Sequence, residues 1–185
     1  FHPATLEYEQ AESQFAELLA ALAELQEPVV FTMPNADTVG RAIAAMMKDF
    51  VADHPGANLV DNFGTIGYFS MMSVARAMVG NSSSGIKETP AFACPTVNIG
   101  SRQAGRLASR NVINVGYEAD TIYAAALRCV DDDRFLSTCR TAPNPYGKGN
   151  AGKKIAEILA KTPLDQRLIV KKMTIKTALR RDGAA

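Results

Sequence analysis

The sequence predicts an α/β protein built on a doubly wound parallel sheet, and three observations predict it. Short β-prone runs alternate with helical patterns along most of the chain. The runs are continuously apolar rather than alternating, as in strands covered on both faces. Polar, glycine-containing turns follow the runs, as expected where strands feed helices.

Composition sets the bounds. The 185 residues are 47% apolar and 21% charged, enough for one sizeable core in a single large domain or at most two small ones. Lys and Arg number 20 against 19 Asp and Glu, a net charge of +1, which gives no electrostatic footprint for nucleic acid or an anionic membrane. Disordered and collagen-like classes are excluded. No apolar run reaches the roughly 18 residues of a membrane span. Cys94, Cys129 and Cys139 are odd in number and lack CxxC spacing, which disfavours a disulfide scaffold or zinc site and fits a reducing cytoplasm. No secretory signal is recognised. The sequence opens at Phe1 on a motif-like His2-Pro3, so the ordered chain is expected to be part of something longer.

The elements follow in order. Phe15, Leu18, Leu19, Leu22 and Leu25 recur at helical spacing and predict an amphipathic helix over 7–26. Val29 to Met33 reads as a buried parallel strand. After the turn Pro34-Asn35-Ala36-Asp37, Asp37 or Thr38 caps a helix whose inner stripe is Ile43, Met46, Met47 and Phe50. Residues 58–60 form a weak strand, 66–76 a helix with an apolar face, and 77–80 a short strand. Ser84 to Phe92 starts a helix. Residues 95–99 and 111–115 are strands around a loop from Gly100 to Arg110. A helix over 120–130 is extended or broken near Asp131-Asp132-Asp133. Asn150 caps a last helix with Ile155, Ile158 and Leu159 facing inward. Beyond Pro163 the chain is less legible, and the cluster Lys171, Lys172, Lys176, Arg180 and Arg181 reads as a solvated end.

Ligands of an open parallel sheet bind at the carboxyl ends of its strands. The loops there carry Asn35, Asn62-Phe63-Gly64, Gly80-Asn81-Ser82-Ser83-Ser84-Gly85 and Gly100-Ser101-Arg102-Gln103. The serine loop is the sharpest signal. A helix start offers unbonded N–H groups, hydroxyls add donors, and glycine permits close backbone approach, which together suit a phosphate; the alternative is an ordinary serine N-cap. The triplet Asn81-Ser82-Ser83 also matches the glycosylation sequon, here a chance match. Glu88, one turn on, points back toward the loop and suits a ribose diol, or simply favours a helix N-terminus. Arg102 and Arg106 share a face if their loop turns helical, and paired guanidinia suit a diphosphate; the alternative is solvated surface arginine. His2 stands at a turn after what reads as a truncated strand. His54 reads as structural. The run Tyr146 to Ala151 lacks Walker spacing and offers a phosphate-facing Lys148. The residues alone therefore reach a phosphate- or nucleotide-sized site without naming a reaction.

Taken together, Val79 to Glu88, Ala91-Phe92, Pro95 to Gln103 and Gly105-Arg106 resemble the hydrolysing UDP-N-acetylglucosamine 2-epimerases of the sialic-acid pathway and their relatives acting on bacillosamine-type sugar nucleotides. His2-Pro3 with Thr5, Pro34 to Asp37, and Asn144 to Ala151 extend the resemblance from Phe1 to about Leu159. It implies the C-terminal half of a GT-B-type two-domain fold, with a Rossmann-like UDP-binding domain over 1–162 and a tail over 163–185 that packs toward the N-terminal domain. It implies UDP and a UDP-N-acetylhexosamine as partners, a dimer, and no cofactor or metal. It carries His2 to the diphosphate and reacting sugar, Asn35 to the nucleotide pocket, Phe63 to the base through its backbone, Ser82 and Ser83 to phosphate, Glu88 to the ribose and Arg102 to the diphosphate. Ser84, Gly85, Arg106 and Lys148 are further candidates. Ala93 departs from the pattern where many members carry glycine, and Thr38-Val39 where smaller residues are commoner. The implied reaction is elimination of UDP across C1–C2 followed by hydration, with the carboxylates on the N-terminal half and no turnover by these residues alone. The alternatives are a non-hydrolysing epimerase, a GT-B glycosyltransferase, and a non-catalytic nucleotide-sugar-binding domain.

Overall fold

The structure, a computed structural model, describes residues 1–34 and 38–170. Asn35 and the capping candidate Asp37 lie outside the described residues, as does the basic cluster beyond 170. Two compact units divide the chain, Phe1–Tyr146 and Gly147–Ala185.

In the first unit a 3-10 turn, Thr5–Gln10, leads into α1 (Ala11–Ala23). β1 (Val29–Thr32), α2 (Thr38–Asp53), β2 (Ala57–Val60), α3 (Gly64–Val74) and β3 (Met78–Gly80) follow. Then come α4 (Ser84–Lys87), a second 3-10 turn (Thr89–Phe92), β4 (Thr96–Ile99), β5 (Val112–Val115), α5 (Ala119–Asp131) and α6 (Asp133–Thr141). The expected alternation is present, and every described strand pair is parallel.

The strands do not form the single sheet expected. β1 pairs with β2, Val29 opposite Ala57, and β3-β4-β5 form a separate sheet with Met78 opposite Thr96 and Thr96 opposite Val112. Between β1 and β3 lies an apolar cavity of about 530 Å³. β4 is buried along its whole length, whereas Val29, Val30, Met78 and Val79 are half-buried.

The core explains the helix order. Phe15, Leu18 and Leu22 of α1 bury with Ile43 and Met47 of α2, Val97 and Ile99 of β4, and Ile122 and Cys129 of α5. The stripes read from α1 and α2 are thus the inner faces. α1 starts four residues later than expected because Glu7 leaves helical geometry at φ −126°. Its carboxylate instead accepts hydrogen bonds from Ser101, Tyr117 and Gln14. These bonds hold it below the usual carboxylate range.

The helix expected from Ser84 to Phe92 breaks after one turn. Pro90 supplies no N–H and disfavours helical geometry at Thr89. Thr89 instead builds a buried polar knot: its hydroxyl donates to Gly85 O (2.6 Å) and accepts from Thr96 Oγ1 (2.9 Å) and Asn111 Nδ2 (3.0 Å). Ala93, just beyond, has a left-handed φ of +52° that glycine would adopt without strain. α3 differs from expectation at Ile66, which is 85% exposed, while Met72 is buried. The break near Asp132 is real: its carboxylate caps α6 by accepting from the Phe135 N–H (3.0 Å).

The three cysteines are buried and free. Burial pushes the Cys94 thiol up to about 11 and Cys129 up to about 12, so neither is a thiolate at neutral pH.

The second unit holds α7 (Ala151–Lys161) and α8 (Gln166–Ile169). Asn150 occupies the N-cap position of α7 without a side-chain cap bond. Ile155, Ile158 and Leu159, expected to face inward, are exposed.

Candidate functional site

The polar residues gather where the strands end. β3 delivers Asn81, whose side chain is buried and grips the backbone of His2 from both sides. Asn81 Oδ1 accepts the His2 N–H at 2.8 Å, and Nδ2 donates to His2 O at 2.6 Å. Its main-chain oxygen accepts from Arg102 Nη1 (2.9 Å) and Gln103 Nε2 (2.7 Å). One residue therefore joins the chain start, the serine loop and the loop after β4. Gln103 is buried while the rest of Arg102 reaches solvent, leaving guanidinium donors for a ligand.

The serine loop follows directly. Turn bonding begins at Ser84, whose N–H reaches Ser82 Oγ (3.3 Å), followed by Gly85 N–H to Ser82 O (3.2 Å) and Ile86 N–H to Ser83 O (3.1 Å). The N–H groups of Ser82 and Ser83 precede this first turn, where a helix start presents its donors. The serine at the N-cap, Ser83, makes no side-chain cap bond. Ser82 and Ser83 are half-buried, whereas Ser84 and Gly85 are buried. Gly85 serves packing rather than ligand approach: a Cβ there would stand 2.8 Å from Thr96 Cγ2.

Beside the loop a cleft of about 500 Å³ opens, within the range of small-molecule sites. Thr32 from β1, Phe63 after β2, Tyr68 of α3, and Ser84 and Glu88 line it. The elements that carry Phe63 and Glu88 are far apart in sequence, and the fold brings both to one cleft. Asn62 Oδ1 accepts the Gly64 N–H (2.6 Å), and Gly64 turns at φ +62°. Burial foremost pushes the Tyr68 phenol up, against the opposing pull of the Ser84 hydroxyl and with the Glu88 charge adding to the rise. Sequence reasoning missed Tyr68 and the roles of Asn81 and Gln103. Tyr68 lay in a helix read only as apolar, and Asn81 was hidden inside a motif read for its hydroxyls.

The loop from Gly100 runs as consecutive turns, not a helix. Gly105 at φ +78° interrupts it, so Arg102 and Arg106 lack the expected helical stacking, and Arg106 is exposed. Gly100 itself is required, since a Cβ there would overlap the Tyr117 ring at 2.1 Å. Asn144 Nδ2 donates to Lys87 O (2.9 Å) and Tyr146 OH to Leu107 O (3.0 Å), so this part of the expected motif pins loops. Lys148 is exposed in the second unit. Among the described residues no cluster of His, Cys, Asp and Glu could hold a metal, and no helix is long and apolar enough to cross a membrane.

A family model described as UDP-N-acetylglucosamine 2-epimerase matches residues 1–160. The chain belongs to this family. The GDP/UDP-N,N'-diacetylbacillosamine 2-epimerase (hydrolyzing) of Campylobacter jejuni is 40% identical over 116 residues, 62% of this chain and 30% of that protein. The polysialic acid biosynthesis protein P7 of Escherichia coli is 33% identical, over 82% of this chain and 39% of its own length. The UDP-N,N'-diacetylbacillosamine 2-epimerase (hydrolyzing) of Legionella pneumophila is 28% identical, over 92% of this chain and 44% of its own length. The chain thus spans less than half the length of these curated relatives. Among solved structures, the UDP-GlcNAc 2-epimerase of Neisseria meningitidis bound to UDP-GlcNAc superimposes with a TM-score of 0.69 at 18% identity, over 87% of this chain and 43% of that one. The S. aureus MnaA–UDP co-structure gives 0.67 at 18%, over 85% and 43%. The fold of this epimerase-family chain is therefore the Rossmann-like α/β half of a GT-B-type architecture expected from the sequence.

Proposed function

We propose that this chain is the UDP-binding half of a hydrolysing 2-epimerase acting on UDP-N-acetylglucosamine or a diacetamido relative, in a cytoplasmic sugar-nucleotide pathway of the sialic-acid type. The observation that carries the reading is the convergence, in a member of this family, of the serine loop, Arg102 and the Phe63–Glu88 cleft at the strand ends. The base lies against the backbone at Phe63, the ribose diol donates to Glu88, and the diphosphate meets Ser82, Ser83 and Arg102. His2 approaches the diphosphate and the sugar. The resemblance also assigns Asn35, outside the described residues, to the nucleotide. Arg106 and Lys148 supply outer positive charge.

In the reaction, a base takes the proton from C2, electrons of the C2–H bond form the C1–C2 double bond, and the C1–O bond breaks toward the diphosphate. Water then adds its oxygen to C1 and a proton returns to C2 on the opposite face, giving the free 2-epimer. This half stabilises the departing UDP, where negative charge grows, with fixed guanidinium charge and N–H donors. The proton-transferring carboxylates belong to the other half of the enzyme.

Calorimetric titration with UDP tests the reading. Arg102→Ala and Glu88→Ala each weaken binding by roughly 1.5–3 kcal/mol, the scale of a hydrogen bond to a charged group. No UDP binding by the parent chain, or unchanged affinity in both variants, refutes it. Joined to its other half, the protein releases free sugar; return of UDP-sugar instead identifies a non-hydrolysing enzyme.

A further inference from the structure

Arg102 stands on a loop that its own residues hold only lightly. Gly100 to Arg106 runs as consecutive turns, and Ser101, Arg102 and Arg106 are exposed. Within it, Ala104 N–H donates to Ser101 O (2.8 Å) and Arg106 N–H to Gln103 O (3.2 Å). An exposed loop with so few internal bonds opens at little cost. A guanidinium whose loop is ordered only at the moment of binding loses affinity, whereas one fixed beforehand does not. Asn81 O anchors the Arg102 and Gln103 side chains beside the serine loop. The residue just before them, Ser101, is anchored by a different group, 94 residues away along the chain.

That group is the Glu7 carboxylate. Its Oε1 accepts the Ser101 hydroxyl, and its Oε2 accepts Tyr117 OH (2.6 Å) and Gln14 Nε2 (3.0 Å). Tyr117 commits its one phenolic proton to Glu7, so its oxygen is left to accept, and it takes the Ser101 N–H at 3.3 Å. Both the hydroxyl and the N–H of Ser101 are therefore held through Glu7. The Tyr117 ring also packs where a Gly100 side chain would stand. A carboxylate suits this place because it only accepts and has two oxygens for three donors; an amide has one acceptor oxygen and brings two more N–H donors. Glu7 belongs to the turn Thr5–Gln10, close after His2, so it ties the chain start to the Arg102 loop as Asn81 does through bonds of its own.

We propose, on the basis of the UDP-binding reading, that Glu7 is a positioning residue for Arg102: through Ser101 and Tyr117 its carboxylate fixes the loop from Gly100 to Gln103, so that the guanidinium is held beside the serine loop before a diphosphate arrives. Glu7 makes no contact with the nucleotide and acts only through Arg102.

The test is a double-mutant cycle of Glu7→Gln and Arg102→Ala, read by calorimetric titration with UDP, together with hydrogen exchange of the nucleotide-free protein. Glu7→Gln weakens UDP binding by at least ~5-fold in the parent and by less than ~2-fold once Arg102 is alanine, the non-additivity of residues that act through one another. Ser101→Ala weakens binding in the same sense, and Ser101→Thr, which keeps the hydroxyl, restores it. Gln14→Ala removes a bond to Glu7 but none to the loop, so it lowers stability and leaves UDP affinity unchanged. Without nucleotide, Glu7→Gln speeds exchange at Ser101 and Ala104 by at least ~5-fold more than at Val97 and Ile99 of β4, which report global unfolding. Tyr117→Phe, which keeps the ring and removes one hydroxyl, takes the place of Glu7→Gln if that variant does not fold. Equal losses with and without Arg102, no loss in the parent, no rescue by threonine, or unchanged exchange in the loop overturns the role of Glu7. A parent that binds no UDP refutes the functional reading and this role with it, whereas a parent that binds UDP with additive losses refutes the role of Glu7 alone.

Discussion

Replacing Asn81 with alanine removes both hydrogen bonds to the His2 backbone, at 2.8 and 2.6 Å, and leaves the main-chain bonds from Arg102 and Gln103 to Asn81 O in place. Each lost bond is worth about 0.5–1.5 kcal/mol, and a buried group left unsatisfied adds to the loss. Asn81 is 1% exposed, so water does not readily replace its amide. The expected cost is about 2–3 kcal/mol, a fall in Tm of roughly 5–10 °C for a chain of this size. Asn81→Asp keeps an acceptor for the His2 N–H but turns a carboxylate oxygen toward His2 O and buries a charge, so it destabilises at least as much. Urea unfolding with an unchanged m-value is the assay. A loss below ~0.5 kcal/mol for Asn81→Ala would refute the clamp, because that is the range of inconsequential surface substitutions.

Three further outcomes follow from particular contacts. Gly85→Ala costs about 1–3 kcal/mol through its 2.8 Å approach to Thr96 Cγ2, and adding Thr96→Ser, which removes that methyl while keeping the hydroxyl, recovers part of it in a double-mutant cycle. Ala93→Gly relieves a left-handed φ of +52° and raises stability by up to ~1 kcal/mol, measured by thermal unfolding. Glu7, held low by Ser101, Tyr117 and Gln14, contributes stability that is present above the unfolded carboxylate pKa and lost as pH falls through its lower folded value; Glu7→Gln therefore differs from the parent at pH 6 and converges with it in acid.

The legible part of this protein is local and periodic. Strand and helix order could be read because β-prone runs and 3.6-residue stripes are written in neighbouring residues, and the stripes of α1 and α2 proved to be their buried faces. What escaped the sequence was set by partners distant along the chain. Glu7 leaves the helix because Ser101 and Tyr117, some hundred residues away, bind its carboxylate. α4 stops after one turn because Thr89 is drawn into a knot with Thr96 and Asn111. The candidate loops were visible because hydroxyl, amide and glycine residues interrupt apolar runs, but residue type alone could not separate residues facing the cleft from residues holding it in shape.

That separation carries a mechanistic consequence. Within the stretch Asn81 to Glu88, Ser82 and Ser83 are half-buried beside the donors of the first turn, and Glu88 lines the cleft, whereas Asn81 and Gly85 are spent on the backbone of His2 and the face of β4. Arg102 and Gln103 divide in the same way: both bind Asn81 O, but only Arg102 retains donors at the surface. A diphosphate held by such donors is stabilised by charge and N–H groups already fixed before it arrives, and that fixation is what lets electrostatics favour the departing group over the intact glycosyl phosphate. Substitutions at Asn81 and Gln103 should therefore disturb the placement of Arg102 without removing any ligand contact. Arg102→Ala weakens UDP through lost charge and shows a reduced salt dependence of binding, whereas Gln103→Ala leaves the charge and the salt dependence intact while lowering affinity. Equal salt slopes in the two variants would place both residues in direct contact with the nucleotide and undo the division.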